Sequence, residues 1–391
     1  MDSRTRARHR RRERSLMAGP YNGVRVIDTT GLAGAYATRL FAGLGAEVIR
    51  LESPEGSPLR ALPPFAESIE PPENSLWWSY LGMGTRSVVV EPGDKDSLAQ
   101  ILSGADVVFE DRLPEDSPIT SDLVPDSAIT TRIVPFGLTG PKRSWKSSNL
   151  VAWAASGVLY ATGFQDRPPV APAGHVQLAL HASAASALVG TLLALRSRRK
   201  SGSGQQVEIS MQEAALTIAP ETGVPVFLDD RVHRERSGNR RDLGRPFGLY
   251  PCSDGFVSII VLMPRHWTAM AEWVAETTGN ETIAEEVFQD LTVRMETQEL
   301  IDTWVEEMTT GQTRLALFEE GQRRGIPITP VNTVNALVDD PHLKAANYWS
   351  TTQLADSSTV TVPGAPFRTD SDWWTMSPAP LLGQHTDLYL G

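Results

Sequence analysis

The chain contains a single cysteine, Cys252, in 391 residues. One thiol excludes a disulfide framework and a cysteine-based zinc site, and it points to a reducing, cytoplasmic setting. No metal is expected. Long apolar runs are lacking too. The richest stretch, Ala182 to Leu195, falls short of the ~18 residues that cross a bilayer and ends in Arg196, Arg198, Arg199 and Lys200, so no membrane span is expected. Basic residues are scarce except at the start. Residues 1–18 hold seven arginines against Asp2 and Glu13, which leaves 29 basic and 45 acidic residues elsewhere. A body this acidic repels nucleic acid. The arginine run lacks the apolar core of a signal peptide and reads as a disordered tail, or as an extension ahead of a start at Met17. A binding arm for an anionic partner is the alternative.

What is present fits a globular protein with one large core or two ordinary ones, at 41% hydrophobic and 21% charged residues. Val24 to Asp28 reads as a buried strand, Ala35 to Leu44 as a helix and Glu47 to Leu51 as a second strand. Strands at Ser87 to Val90, Asp106 to Phe109 and Ile129 to Pro135, with a helix at Asp96 to Leu102, continue the alternation. This is the pattern of a parallel sheet covered by helices. A small-residue helix, His181 to Leu195, leads through Ser201-Gly-Ser-Gly204 to a strand around Val207, Ile209 and Met211. Beyond a linker rich in Pro, Gly and Arg (219–246), Leu249 to Leu262 reads as a hairpin about Asp254-Gly255, followed by two or three amphipathic helices between His266 and Arg324. The expected layout is an α/β, Rossmann-like large domain at 19–210 completed by 345–391, and a smaller α+β domain at 225–335. Linkers are placed at 211–224 and 336–344.

The first βα turn invites a dinucleotide reading, with Glu52 about twenty residues on as a ribose ligand. It reads Gly31-Leu-Ala-Gly34 and lacks the glycine spacing that lets backbone close on a pyrophosphate, so NAD is not favoured. Trp77, Trp78, Trp145 and Trp153 are candidates for an aromatic pocket, although buried aromatics more often fill cores.

The order of these segments resembles family III CoA-transferases, the CaiB/BaiF group. The resemblance rests on Gly23 to Asp28, Ala33 to Thr38, Leu44 to Glu52, Thr85 to Ser87, Ala105 to Val108, Phe136 to Pro141, Tyr250 to Gly255, Gly325 to Asn332, Asp340 to Leu343 and Pro380 to His385. It implies the fold above, in ring-like subunits that interlock as a dimer. It also implies a carboxylate nucleophile that takes acyl and then CoA groups as a mixed anhydride and a thioester. In the family this aspartate stands ten residues before the position of Gly190. Here that position is Leu180. Neither Asp166 nor Glu208 matches the motif. His181 stands beside the vacancy as a weak candidate base; the blander reading is a helix-start histidine satisfied by backbone or water. Related racemases carry a histidine near Ser148 and an aspartate near Leu180, and both are missing.

The resemblance implies contacts to CoA or acyl-CoA from Ala33, Gly34, Arg86, Arg112 and Lys146. Several neighbours depart from the family. Ala35 replaces a proline, Ser53 a basic residue, and Glu110 to Glu115 puts acids along a polyphosphate path. Arg86 keeps its place, Arg112 compensates in part, and Lys142, Arg143 and Lys146 form a small basic cluster. The expectation is a CoA-transferase subunit without its own nucleophile, resembling that subunit of a benzylsuccinate-type enzyme. Such a subunit pairs, as a heterodimer or heterotetramer, with a related chain that supplies the aspartate. CoA would pass from a donor such as succinyl-CoA to a carboxylic acid. The alternatives are a self-dimer with divergent transferase or racemase-like chemistry, and a non-catalytic acyl-CoA-binding protein.

Overall fold

In the computed structural model, residues 19–171, 176–218, 236–241, 244–370 and 373–391 are described. The arginine-rich segment 1–18 and residues 219–235, with the expected start of the small domain at 225, lie outside them. The described chain divides into two units, 19–158 with 176–218 and 344–391, and 159–171 with 236–241 and 244–343.

The first unit is built on six parallel strands: β1 (Arg25–Asp28), β2 (Glu47–Glu52), β3 (Thr85–Val89), β4 (Val107–Glu110), β5 (Ile129–Val134) and β6 (Gln205–Ser210). Their order across the sheet is β3-β2-β1-β4-β5-β6. Side chains alternate between its faces, which lets helices cover both. On one face Phe109 meets Phe41 of α1 (Leu32–Gly43), with ring centroids 5.8 Å apart. On the other, Ile27, Ile49, Val88 and Val108 pack with Leu98, Ile101 and Leu102 of α2 (Lys95–Leu102). Helix α1 buries ten of its twelve residues, mostly alanine and glycine, because small side chains let neighbours approach from several sides. The ring of Trp374 lies directly on Gly43.

Packed against α1 and the β5–β6 end of the sheet is α3 (Leu178–Ser201), which ends at Gly202 with φ +74°. That left-handed conformation suits glycine, and it stops the helix. At 24 residues the helix is longer than expected, and by length and composition it is apolar enough to cross a membrane. Half of its apolar stretch is buried within the fold. The segment expected as a linker from 211 instead forms a helix, α4 (Met211–Thr217), because Ser210 ends β6 and its Oγ accepts from the Glu213 N–H. The carboxyl-terminal segment covers the outer edge of β3. His385 N–H donates to the Ser87 carbonyl at 3.0 Å, Gly383 N–H to Ser87 Oγ at 2.8 Å, and Val89 N–H to Thr386 Oγ1 at 3.0 Å.

The second unit has a three-stranded antiparallel sheet, β7 (Phe247–Cys252), β8 (Gly255–Ile260) and β9 (Ile328–Pro330). Four α-helices lie between β8 and β9, over 264–278, 291–296, 298–310 and 314–323, where two or three were expected. Trp267, Met270, Ile301, Val305 and Leu317 close its core. Two boundaries differ from expectation. Residues 159–171 belong to this unit and not to the large one, since Arg236 donates to the carbonyls of Tyr160, Phe164, Gln165 and Arg167 at 2.9–3.3 Å. The supposed linker 336–344 contains most of two short helices, Val334–Asp339 and Pro341–Ala345.

Candidate functional site

Strand order reverses at β1, whose neighbours β2 and β4 carry chain away to opposite sides. The crevice beyond the carboxyl ends of such strands is where α/β sheets bind ligands. Here the crevice is framed by Asp28 at the end of β1, the Gly31–Gly34 turn, and the loop after Glu110.

Asp28 is fully buried and fully partnered. Its carboxylate accepts from Thr30 N–H at 2.8 Å, Thr30 Oγ1 at 2.7 Å and Thr38 Oγ1 at 2.5 Å, and it pairs with the buried guanidinium of Arg50. Arg50 also donates to the Thr30 carbonyl at 2.6 Å. The turn is thereby stapled from both sides. Gly34 sits so close to Thr30 that an added Cβ would lie 2.4 Å from its hydroxyl oxygen. At the entrance to α1, which has no side-chain cap of its own at Gly31, the Asp111 carboxylate accepts from the Gly31 N–H at 2.7 Å.

The other acids at this edge are committed. Glu52 accepts from Arg60, from Ser57 N–H at 2.8 Å and from Ser87 Oγ at 2.6 Å. Burial opposes its ionisation, but Arg60 and these donors outweigh it and hold the carboxyl below the usual range. It offers nothing to a ribose. Glu110 is buried against Arg132 and Ser117 Oγ. Glu115 holds Arg143 through two hydrogen bonds of 2.5 Å.

The residues expected to touch CoA are divided by this geometry. Ala33 and Gly34 are buried in the first turn of α1. Arg112 is exposed beside Asp111, and Lys146 is exposed in the loop after β5. Lys142 stands over the rings of Phe136 and Trp145, 5.7 Å from each centroid. Arg86 does not join them. It is the second residue of β3, so it lies at the amino edge of the sheet, 3.9 Å from Glu47 and in a cleft of about 590 Å³ with His385 and Gln384.

Leu180 is the third residue of α3 and only 9% exposed. Asn149 fixes the approach to it: its Nδ2 donates to the Val176 carbonyl at 3.1 Å and its Oδ1 accepts from the Ala179 N–H at 3.0 Å. His181 lies against Tyr36 of α1 and Trp77, with ring centroids 5.4 and 6.4 Å away. Its Nδ1 is buried without a hydrogen-bond partner, and burial pushes the imidazole below its usual pKa, toward the neutral form. Ser148 caps the short helix Asn149–Ala155, accepting from Val151 N–H at 3.4 Å. Asp166 lies in the second unit and is largely exposed, while Glu208 Oε1 accepts from the Leu138 N–H at 2.6 Å. The four tryptophans do not line one pocket. Trp78 and Trp153 are buried in the core, Trp145 is 57% exposed against Phe136, and Trp77 sits beside His181. Among the described residues, no group of three or more His, Cys, Asp or Glu is placed to hold a metal.

The family model for CoA-transferase family III matches residues 21–386. The chain belongs to that family. It is 31% identical to the succinyl-CoA:(R)-benzylsuccinate CoA-transferase subunit BbsE of Thauera aromatica, over 95% of this chain and 93% of the relative. It is 26% identical to the succinyl-CoA–L-malate CoA-transferase alpha subunit of Chloroflexus aurantiacus, over 88% of this chain and 81% of that one. A crystal structure of a CAIB/BAIF family protein from Brucella suis superposes with a TM-score of 0.83 at 23% identity, covering 95% and 98% of the two chains. That likeness establishes the shared fold. In the crevice of this family III chain, several groups that could meet a CoA phosphate are already engaged. The Gly31 N–H is taken by Asp111, Arg50, Arg132 and Arg143 are spent on acids, and Arg112 and Lys146 stand exposed.

Proposed function

We propose that this chain is the non-catalytic subunit of a heteromeric cytoplasmic CoA-transferase. The enzyme transfers CoA from an acyl-CoA donor such as succinyl-CoA to a carboxylic acid, and a related chain supplies the nucleophilic aspartate. The observation that carries the reading is Leu180. A buried hydrocarbon stands where the family resemblance calls for a carboxylate, and it can form neither an anhydride nor a thioester. Each acid around the crevice is engaged by an arginine or a backbone donor, so none is free to take over that role. Two relatives, each named as a subunit of its enzyme, support a multi-chain enzyme. The outer face of α3 supports it as well, since Leu178, Val189 and Leu193 are 42–61% exposed on a helix of this apolarity.

The test is a reconstitution. Incubated alone with succinyl-CoA and a carboxylic acid, the chain should give no CoA transfer and no acyl or CoA adduct by intact mass. Mixed with an aspartate-bearing paralogue it should give transfer, and replacing the partner's aspartate by asparagine should abolish it. An adduct on this chain alone, or a self-dimer with transfer activity, would sink the proposal.

A further inference from the structure

The entrance to α1 already holds an anion, and that anion belongs to the protein. Asp111 Oδ2 lies 2.7 Å from the Gly31 nitrogen, and a Cβ at Gly31 would come within 3.3 Å of the same oxygen. The amino end of a helix presents unpaired N–H groups and a positive dipole end, which is why phosphates settle there. The charges around the position have been cancelled in pairs, Asp28 by Arg50 and Glu110 by Arg132. Asp111 feels the exposed Arg112 and the already paired Arg50 as its favourable charges. A phosphate arriving here meets an occupied donor and a carboxylate of its own sign.

We propose that Asp111 is a specificity-determining residue that closes this crevice to CoA, by setting the negative charge of its carboxylate against the Gly31 N–H, where a phosphate would dock. The inference takes from the proposed function only its substrate class. It deepens that reading in one respect: in the assembled enzyme, the CoA thioester is held in the crevice of the aspartate-bearing partner and not in this one.

Asparagine has the same shape as aspartate and keeps a side-chain oxygen for the Gly31 N–H, so Asp111→Asn removes charge and little else. The probe is CoA itself, titrated into the isolated full-length chain by calorimetry. Wild type at neutral pH should show no saturable binding, while Asp111→Asn should bind, with affinity raised roughly tenfold or more. Asp111→Glu should stay closed. Wild-type pH dependence gives a second arm that needs no variant. Burial and the neighbouring Asp28 raise the Asp111 carboxyl above the usual aspartate range, against the Gly31 N–H, Arg112 and Arg50, which lower it. Binding to wild type should therefore appear as pH falls and Asp111 is protonated, whereas Asp111→Asn should lack that step. Equal binding by wild type and Asp111→Asn overturns the proposal, and so does an absence of binding by both at every pH. Failure to assemble with a partner would remove the heteromeric reading and leave this contrast untouched.

Discussion

Asp28 and Arg50 form an ion pair that is almost wholly shut off from water. Such a pair adds little net stability over well-packed hydrocarbon, but removing one member strands the other at a cost of about 3–5 kcal/mol. Arg50→Leu should lower the unfolding free energy measured in urea by an amount of that size, because Asp28 would keep its hydroxyl donors and lose its cation. Leu180→Asp tests the proposed vacancy from the opposite side. A carboxylate placed at this buried site should cost about 1–3 kcal/mol and still give no transferase activity alone. His181 makes a prediction in pH. Burial depresses its folded-state pKa, so its stabilising contribution is whole above the ordinary imidazole value of about 6.5 and is lost as pH falls below it. His181→Phe should flatten that part of a melting-temperature profile; an unchanged slope would show that the ring titrates freely. The proposed vacancy at 180 depends only on counting from Gly190 along the family resemblance, so it can be read without a structure. The contact between Asp111 and Gly31 cannot, because it joins residues eighty positions apart.

At the scale of elements, α1 is governed by close approach. Alanine is normally the better helix former than glycine, by about 1 kcal/mol. At Gly34 the new Cβ would fall 2.4–2.7 Å from three side-chain atoms of Thr30. Thr30 cannot swing aside, since Asp28 holds both its hydroxyl and its N–H. Overpacking of this kind costs about 1–3 kcal/mol, so Gly34→Ala should destabilise the protein in thermal melts despite the better propensity. A raised melting temperature would show that the turn is loose. The β-strands were legible as short apolar runs, and β1, β2 and β4 lie within a residue of the expected positions. Helix α3 was underestimated at both ends. Its small residues bury on several sides without a clear period, and its basic last turn reads equally well as loop.

At the scale of the molecule, alternation of strand and helix foretold the parallel sheet. It did not reveal that 159–171 leaves the large unit, because that attachment runs through backbone carbonyls accepting from Arg236, which no side-chain pattern records. The proposed assembly makes its prediction here: mixed with an aspartate-bearing paralogue, the chain should form one complex with equal copies of both, by native mass. A monomer in light scattering under those conditions would count against it. The seal on β3 carries a last consequence, and it concerns time. Val89 waits for a partner 297 residues further along the chain. At about 5–20 residues per second, a ribosome takes roughly 15–60 s to supply Thr386 after Val89 has been made. Throughout that interval the newborn sheet shows a bare strand edge, the kind of surface that recruits other chains. A stop codon placed just before Pro380 should leave that edge bare for good and send the protein into inclusion bodies, with every strand of its sheet already encoded.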